Sequence, residues 1–209
     1  MDPAVNVVFA WTAFAVFHSL TVSEGYERLA RRVLGERAYA RWHRLLFTLY
    51  SGAALLLVLR YLWSLPDGPF YRAEGPLRIL LHLVQAAGAA VLFWTPWDLL
   101  EFVGVRQAVR GLPSAAQSTE RPRLFTHKAY GMVRHPLYLG CSLILLFHPF
   151  QTRNSLVSAL VIVLYLYAGS FFEEGRMVRT FGEEYRRYQR EVPRIIPSIA
   201  RRLDRKRER

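Results

Sequence analysis

The sequence predicts an all-α polytopic membrane protein: about five transmembrane helices, a C-terminal helical hairpin and cytoplasmic amphipathic helices. Three observations predict it. The 209-residue chain is 52% hydrophobic and gathers its apolar residues into five long runs, more than a small soluble core needs. Its 28 Lys+Arg are segregated: 24 fall in residues 21–44, 98–136 and 173–209, and the other four in 60–78 and 149–154. Every second loop is therefore basic, as the positive-inside rule requires. The single cysteine, Cys141, excludes an internal disulfide and any multi-cysteine metal centre. A net charge of +12 first raises nucleic acid as a partner. Its segregation assigns it instead to orientation in the bacterial inner membrane, with the N-terminus outside and the C-terminus cytoplasmic, and no nucleic acid is expected.

The elements follow in order. The first run is Ala4 to Leu20, the second Leu45 to Trp63, and the third Leu77 to Trp97 with His82 and Gln85 inside it. The fourth, Leu137 to Phe150, is short, and the fifth is Ser155 to Phe172. A bilayer core about 30 Å thick needs about 20 helical residues. The fourth run therefore reads as the first arm of a tight hairpin, starting deep or continuing into the preceding loop. No basic n-region or Ala-x-Ala site marks a cleaved signal peptide. In residues 173–192, Met177, Phe181, Tyr185, Tyr188 and Val192 share one helical face, and Arg176, Arg179, Arg186, Arg187 and Arg190 can reach headgroups, so an interfacial helix is expected. Residues 26–42 are a weaker version. The basic tail, residues 201–209, is expected near anionic headgroups. The whole, 1–209, reads as one domain: three acceptor-side spans in 1–97, a ligand-binding region in 98–197, and the tail in 198–209.

Two stretches carry chemistry. Arg134-His135-Pro136 stands at the mouth of the fourth run, where Pro136 biases His135 out of the α region and suits a first helical turn. Either the pair snorkels, or it faces a polar ligand. Glu173-Glu174 follows the fifth run, where helix dipole and desolvation both disfavour acid, so a cationic partner is expected. That partner is either internal, Arg134 or Arg176, or the ammonium of a bound ligand. The hairpin lets the two stretches converge into a cavity with cationic and anionic walls, suited to a zwitterion. His82 with Gln85 reads as an interhelical hydrogen bond. His18 with Ser19 divides between a substrate contact and a helix-end bond. Trp11, Trp63, Trp94 and Trp97 read as interfacial or packing aromatics, and Cys141 as a small packing residue.

The pieces Tyr130-x-x-x-Arg134-His135-Pro136-x-Tyr138-x-Gly140, Glu173-Glu174, Phe181-Gly182-Glu183-Glu184-Tyr185-x-x-Tyr188 and Val192-Pro193-Arg194-Ile195-Ile196-Pro197 resemble the membrane methyltransferases of the isoprenylcysteine carboxyl methyltransferase and phospholipid methyltransferase superfamily. Phe17-His18-Ser19 and Asp98 to Gln107 look like its branch containing methanethiol S-methyltransferase and NnrU-like proteins. The resemblance implies an S-adenosyl-L-methionine pocket on the cytoplasmic side, formed by Leu124, Phe125, Tyr130, His135, Pro136, Leu137, Tyr138, Glu173 and Glu174. It implies Arg134, His135 and Glu173 as the catalytic set, and Trp11, His18, Arg106 and Gln107 as acceptor contacts. No metal is implied. The superfamily's carboxyl methyltransferases carry an Arg one turn before the Glu, where this chain has Gly169, so a small thiol is the better acceptor. The alternatives are the same chemistry on a prenylcysteine carboxylate, a phospholipid amine or another lipophilic acceptor, and a haem-binding protein without methyl transfer.

Overall fold

Prolines and capping side chains punctuate the chain where its apolar runs begin. Asp2 accepts from the Ala4 amide (2.9 Å) and Pro3 opens α1, Pro3–Thr21. Ser23 caps α2, Glu24–Leu34, and Gly35, at φ 77°, separates it from α3, Glu36–Ser64. Pro76 lies in the first turn of α4, Gly75–Trp94. Two short helices follow, α5 (Leu99–Val103) and α6 (Val105–Arg110), and then a 3-10 turn, Lys128–Gly131. Pro136 opens α7, Pro136–Leu146, and a Thr152/Ser155 capping box opens α8, Arg153–Phe181. Gly182, at φ 59°, ends α8 before α9, Glu183–Glu191. This computed structural model describes residues 2–96, 98–110 and 123–198; Trp97 and the basic tail lie outside the described residues.

Helices α1, α3, α4 and α8 are long and apolar enough to cross a membrane, so the polytopic all-α expectation holds. The fourth expected span is shorter than its apolar run. Helix α7 has 11 residues, about 16 Å at 1.5 Å per residue, because Pro136 fixes its start and Phe147–Pro149 leaves the helix for a strand. The apolar pattern gave no sign of that strand. β1 (Pro69–Arg72) pairs antiparallel with β2 (Phe150–Thr152), and Ala73 donates to the Pro149 carbonyl (2.8 Å). The two Lys/Arg-poor loops therefore lie against one another.

The chain divides into two compact units, Met1–Asp67 with Trp97–Arg123, and Gly68–Pro96 with Leu124–Arg209. The third span, α4, thus belongs with the later helices. In the first unit α3 packs against α1, α2, α5 and α6. Gly104, at φ 90°, sits so close to α3 that a Cβ would stand 2.5 Å from the Leu45 nitrogen. In the second unit α7 packs between α4 and α8. Gly88 and Gly140 let α4 and α7 touch backbone to backbone: a Cβ on Gly88 would meet the Gly140 carbonyl at 2.9 Å. One turn from Gly88, Gln85 accepts from the His82 ring through Oε1 (3.2 Å) and donates through Nε2 to the Ile144 carbonyl (2.9 Å), and the second of these is an interhelical bond. Gly88→Ala is therefore expected to destabilise the protein by about 1–3 kcal/mol through overpacking. Gly52→Ala, inside α3 with nothing among the described residues within 4 Å of the new carbon, does not destabilise it and raises stability by up to about 1 kcal/mol. Unfolding of both variants in detergent measures the difference.

Candidate active site

The site is assembled by the two ends of the α7–α8 hairpin and by the segment after α9. His135 is the N-cap residue of α7, and Glu173 and Glu174 lie on the last turns of α8, just past its apolar stretch. Neighbouring helical residues are about 100° apart around the axis, so the two carboxylates face different partners. Glu174 is 3% exposed. Its Oε1 accepts from Arg134 Nε (2.8 Å), Arg134 Nη2 (2.8 Å) and Arg194 Nε (3.2 Å). Its Oε2 accepts from Arg194 Nη2 (3.0 Å) and Gln189 Nε2 (2.8 Å). Arg134 also donates to the carbonyls of Gln189 and Val192. The internal partner expected for the acidic pair is thus real for Glu174: it is Arg134, joined by Arg194, and not Arg176.

Glu173 differs: a third of its side chain is exposed. Its Oε2 accepts from the Tyr138 hydroxyl (2.9 Å) and lies 3.4 Å from His135 Nδ1. The His135 ring stacks on Tyr138, centroids 5.1 Å apart and 11° from parallel, and its Nε2 lies 3.2 Å from Glu174 Oε1. A neutral imidazole has one N–H and can donate to one of these carboxylates, whereas an imidazolium donates to both. Phe125 is exposed and meets Tyr130 edge-on at 6.0 Å. Burial, and then the Glu173 charge, pushes the Tyr130 phenol above its ordinary pKa. Pro136 is buried and Leu137 half-buried.

The face running from Met177 to Val192 packs differently from expectation. Tyr185, Tyr188 and Val192 are buried with Met177, Val178, Phe181 and Leu124, so this face lies against protein and not against headgroups. The chain turns at Gly182, which lets α9 fold its aromatic side back onto Leu124. Leu124 accordingly packs in that cluster. The Tyr188 hydroxyl donates to the Tyr130 carbonyl (2.7 Å). Burial pushes the Tyr185 phenol up to about 12 and raises that of Tyr188 as well, so both remain neutral.

The remaining candidates lie in the other unit. Trp11 is buried, with no partner for its indole N–H among the described residues. His18 sits between Phe14 and Phe47, at 5.8 and 5.2 Å. Arg106 pairs with Asp98 (2.7 Å), and Gln107 is buried, its Oε1 unpaired among the described residues. Arg194 and Gln189 had no role assigned from sequence. Arg194 lay inside a recognised motif, but its reach to Glu174 depends on how the chain turns after α9.

A bundle with bilayer-length helices and a buried Arg–His–Glu cluster at one end of its last hairpin defines a polytopic membrane protein with a charged site at a span terminus. The chain belongs to the methanethiol S-methyltransferase family. It is 32% identical over 200 residues to methanethiol S-methyltransferase of Pseudomonas deceptionensis, covering 91% of this chain and 71% of that protein. It is 31% identical over 191 residues to methanethiol S-methyltransferase 2 of Bradyrhizobium diazoefficiens, covering 89% and 70%. With methanethiol S-methyltransferase of Mycobacterium tuberculosis it shares 28% over 207 residues, covering 92% and 77%. One further relative, methanethiol S-methyltransferase 1 of Bradyrhizobium diazoefficiens, is matched over 63% of its length. No family model and no solved structure matches the chain.

Removing a carboxylate that neutralises the buried Arg134 and the partly buried Arg194 is costly. Glu174→Ala is expected to lower stability by about 3–5 kcal/mol, and Tyr188→Phe by about 1 kcal/mol, both read from equilibrium unfolding in detergent.

Proposed function

We propose that the chain is an S-adenosyl-L-methionine-dependent methyltransferase of the bacterial inner membrane that converts methanethiol to dimethyl sulfide. The observation that carries the reading is the Glu173–Tyr138–His135 face, in a chain whose relatives are named methanethiol S-methyltransferase. The residues fit the cofactor. Tyr138 and His135 both address Glu173 Oε2, which leaves Oε1 for an ammonium or a ribose hydroxyl. Phe125 and Tyr130 offer aromatic surface for a base, and Leu124, Pro136 and Leu137 complete the wall. Glu174 supports this wall from behind. When bound, the cofactor supplies a methyl group on a sulfonium, already activated towards a thiolate.

The chain's own residues then position and exclude. Glu173 fixes a polar group, Tyr138 and His135 fix Glu173, and the apolar wall keeps water away. A free thiol has a pKa of about 8.5, and cationic groups near it raise the thiolate fraction. Arg134 contributes to that field from within its pairing with Glu174, and His135 stands closer to Glu173. Gly169, one turn before Glu173, has nothing within 4 Å of where a Cβ would be. That position supplies room and no charge, which suits a small acceptor and not a carboxylate. Trp11, His18, Arg106 and Gln107 are the proposed acceptor-side contacts. The N-terminus and the β1–β2 pair face outward, and the site and the basic tail face the cytoplasm and its anionic headgroups.

Purified protein given labelled cofactor is expected to form volatile dimethyl sulfide from methanethiol. Methylation of phosphatidylethanolamine or a prenylcysteine instead would overturn the thiol assignment. Calorimetry should detect S-adenosylhomocysteine binding that weakens at least about tenfold in Glu173→Ala, the scale of a lost charge-assisted hydrogen bond.

A further inference from the structure

We infer that Arg194 is a positioning residue: it latches the segment 192–194 over the Arg134–His135 backbone and thereby holds His135 against Glu173. The inference rests on the cofactor-site reading above for its consequence, and on the following geometry for the latch itself. Arg134 and His135 precede Pro136 and are not helical, so their amides need partners outside α7. They find them in the segment after α9: the Arg134 amide donates to the Pro193 carbonyl (2.9 Å) and the His135 amide to the Arg194 carbonyl (3.0 Å). Val192, buried against Tyr185 and Tyr188, holds the start of that segment, but no apolar contact of this kind among the described residues holds its far end at Arg194. Its anchor is the Arg194 guanidinium, which lies over the Phe171 ring at 3.6 Å and donates to both oxygens of Glu174.

The same guanidinium therefore fixes His135 twice. Through the backbone it sets the position of the His135 amide. Through Glu174 it orients the carboxylate oxygen that stands 3.2 Å from His135 Nε2. The other ring nitrogen then faces Glu173. Removing Arg194 leaves no orphan charge, because Arg134 still neutralises Glu174, and Arg194 itself is a quarter exposed. A variant at this position is thus expected to fold and to misplace His135. A lysine could supply charge, but it cannot span both oxygens or stack as a plane.

The test compares the parent with Arg194→Ala and Arg194→Lys in detergent, and has two readouts. The first needs no ligand: hydrogen–deuterium exchange of the peptide holding the Arg134 and His135 amides. Exchange there should rise about tenfold in Arg194→Ala, with Arg194→Lys between it and the parent, while α4 and the middle of α8 exchange at parental rates. The second is calorimetric affinity for S-adenosylhomocysteine, expected to fall about tenfold in Arg194→Ala and less in Arg194→Lys. Unchanged exchange at 134–135 overturns the latch. Faster exchange with parental affinity overturns its role at the site. Uniformly faster exchange across α4 and α8 overturns positioning in favour of global support. A parent that binds no S-adenosylhomocysteine defeats the cofactor reading, while the exchange result still decides the latch.

Discussion

Glu174 is a carboxylate almost removed from water, and the end of the hairpin where it stands is organised around neutralising it. A buried carboxylate is tolerated only where cations and hydrogen-bond donors occupy its lone pairs. Here the donors come from three places along the chain: Arg134 before α7, Gln189 on α9, and Arg194 beyond it. Each donor pins its own segment. Arg134 fixes the approach to α7, Gln189 fixes the rotation of α9, and Arg194 fixes the return of the chain. The Tyr185–Tyr188–Val192 cluster supplies apolar burial beside these donors, but apolar contact has no direction. The charge cluster supplies the register.

Helix α7 poses a second problem with the same kind of solution. Eleven helical residues rise only about half the thickness of a bilayer core, so the connection between the two ends of the α7–α8 hairpin is completed by non-helical chain. Non-helical backbone at membrane depth survives only where protein satisfies its polar groups. At one end the Arg134 and His135 amides are taken by Pro193 and Arg194. At the other, Gln151, 2% exposed, donates to the Leu145 carbonyl (2.7 Å), and the β1–β2 pair takes up the strand that follows. The shortened helix and the small sheet are therefore one feature: the sheet exists because the helix stops early.

What was legible in the sequence follows from the range of each interaction. The long apolar helices were legible because membrane burial imposes length and composition locally. The meeting of Arg134 with the acidic pair was legible because a hairpin brings its two ends together whatever its details. Three things were not. The β1–β2 pair joins residues some 80 positions apart through three- and four-residue strands with no alternating pattern. The Met177–Val192 face was visible as a face, but periodicity records that a surface is apolar and not whether lipid or protein covers it. Arg194 was visible as part of a motif, yet its contact with Glu174 depends on the break at Gly182 and the direction of α9.

The adjacent carboxylates show why a pair of identical residues need not share a task. Glu173 and Glu174 sit one residue apart, so their side chains leave α8 about a quarter-turn apart. Glu174 turns inward to two guanidiniums and becomes neutral in effect, a fixed anchor with no lone pair to offer a ligand. Glu173 turns to a phenol and an imidazole, groups that hold a carboxylate in place without cancelling its charge as two guanidiniums do. The residual negative potential of the site is therefore concentrated on Glu173, at the partly exposed edge. His135 lies between the two, with one ring nitrogen towards each, and couples the anchored carboxylate to the available one. An acidic pair at the C-terminal end of a membrane helix, disfavoured by the helix dipole, is in this way half compensated. The uncompensated half is the part of the site a cation can use.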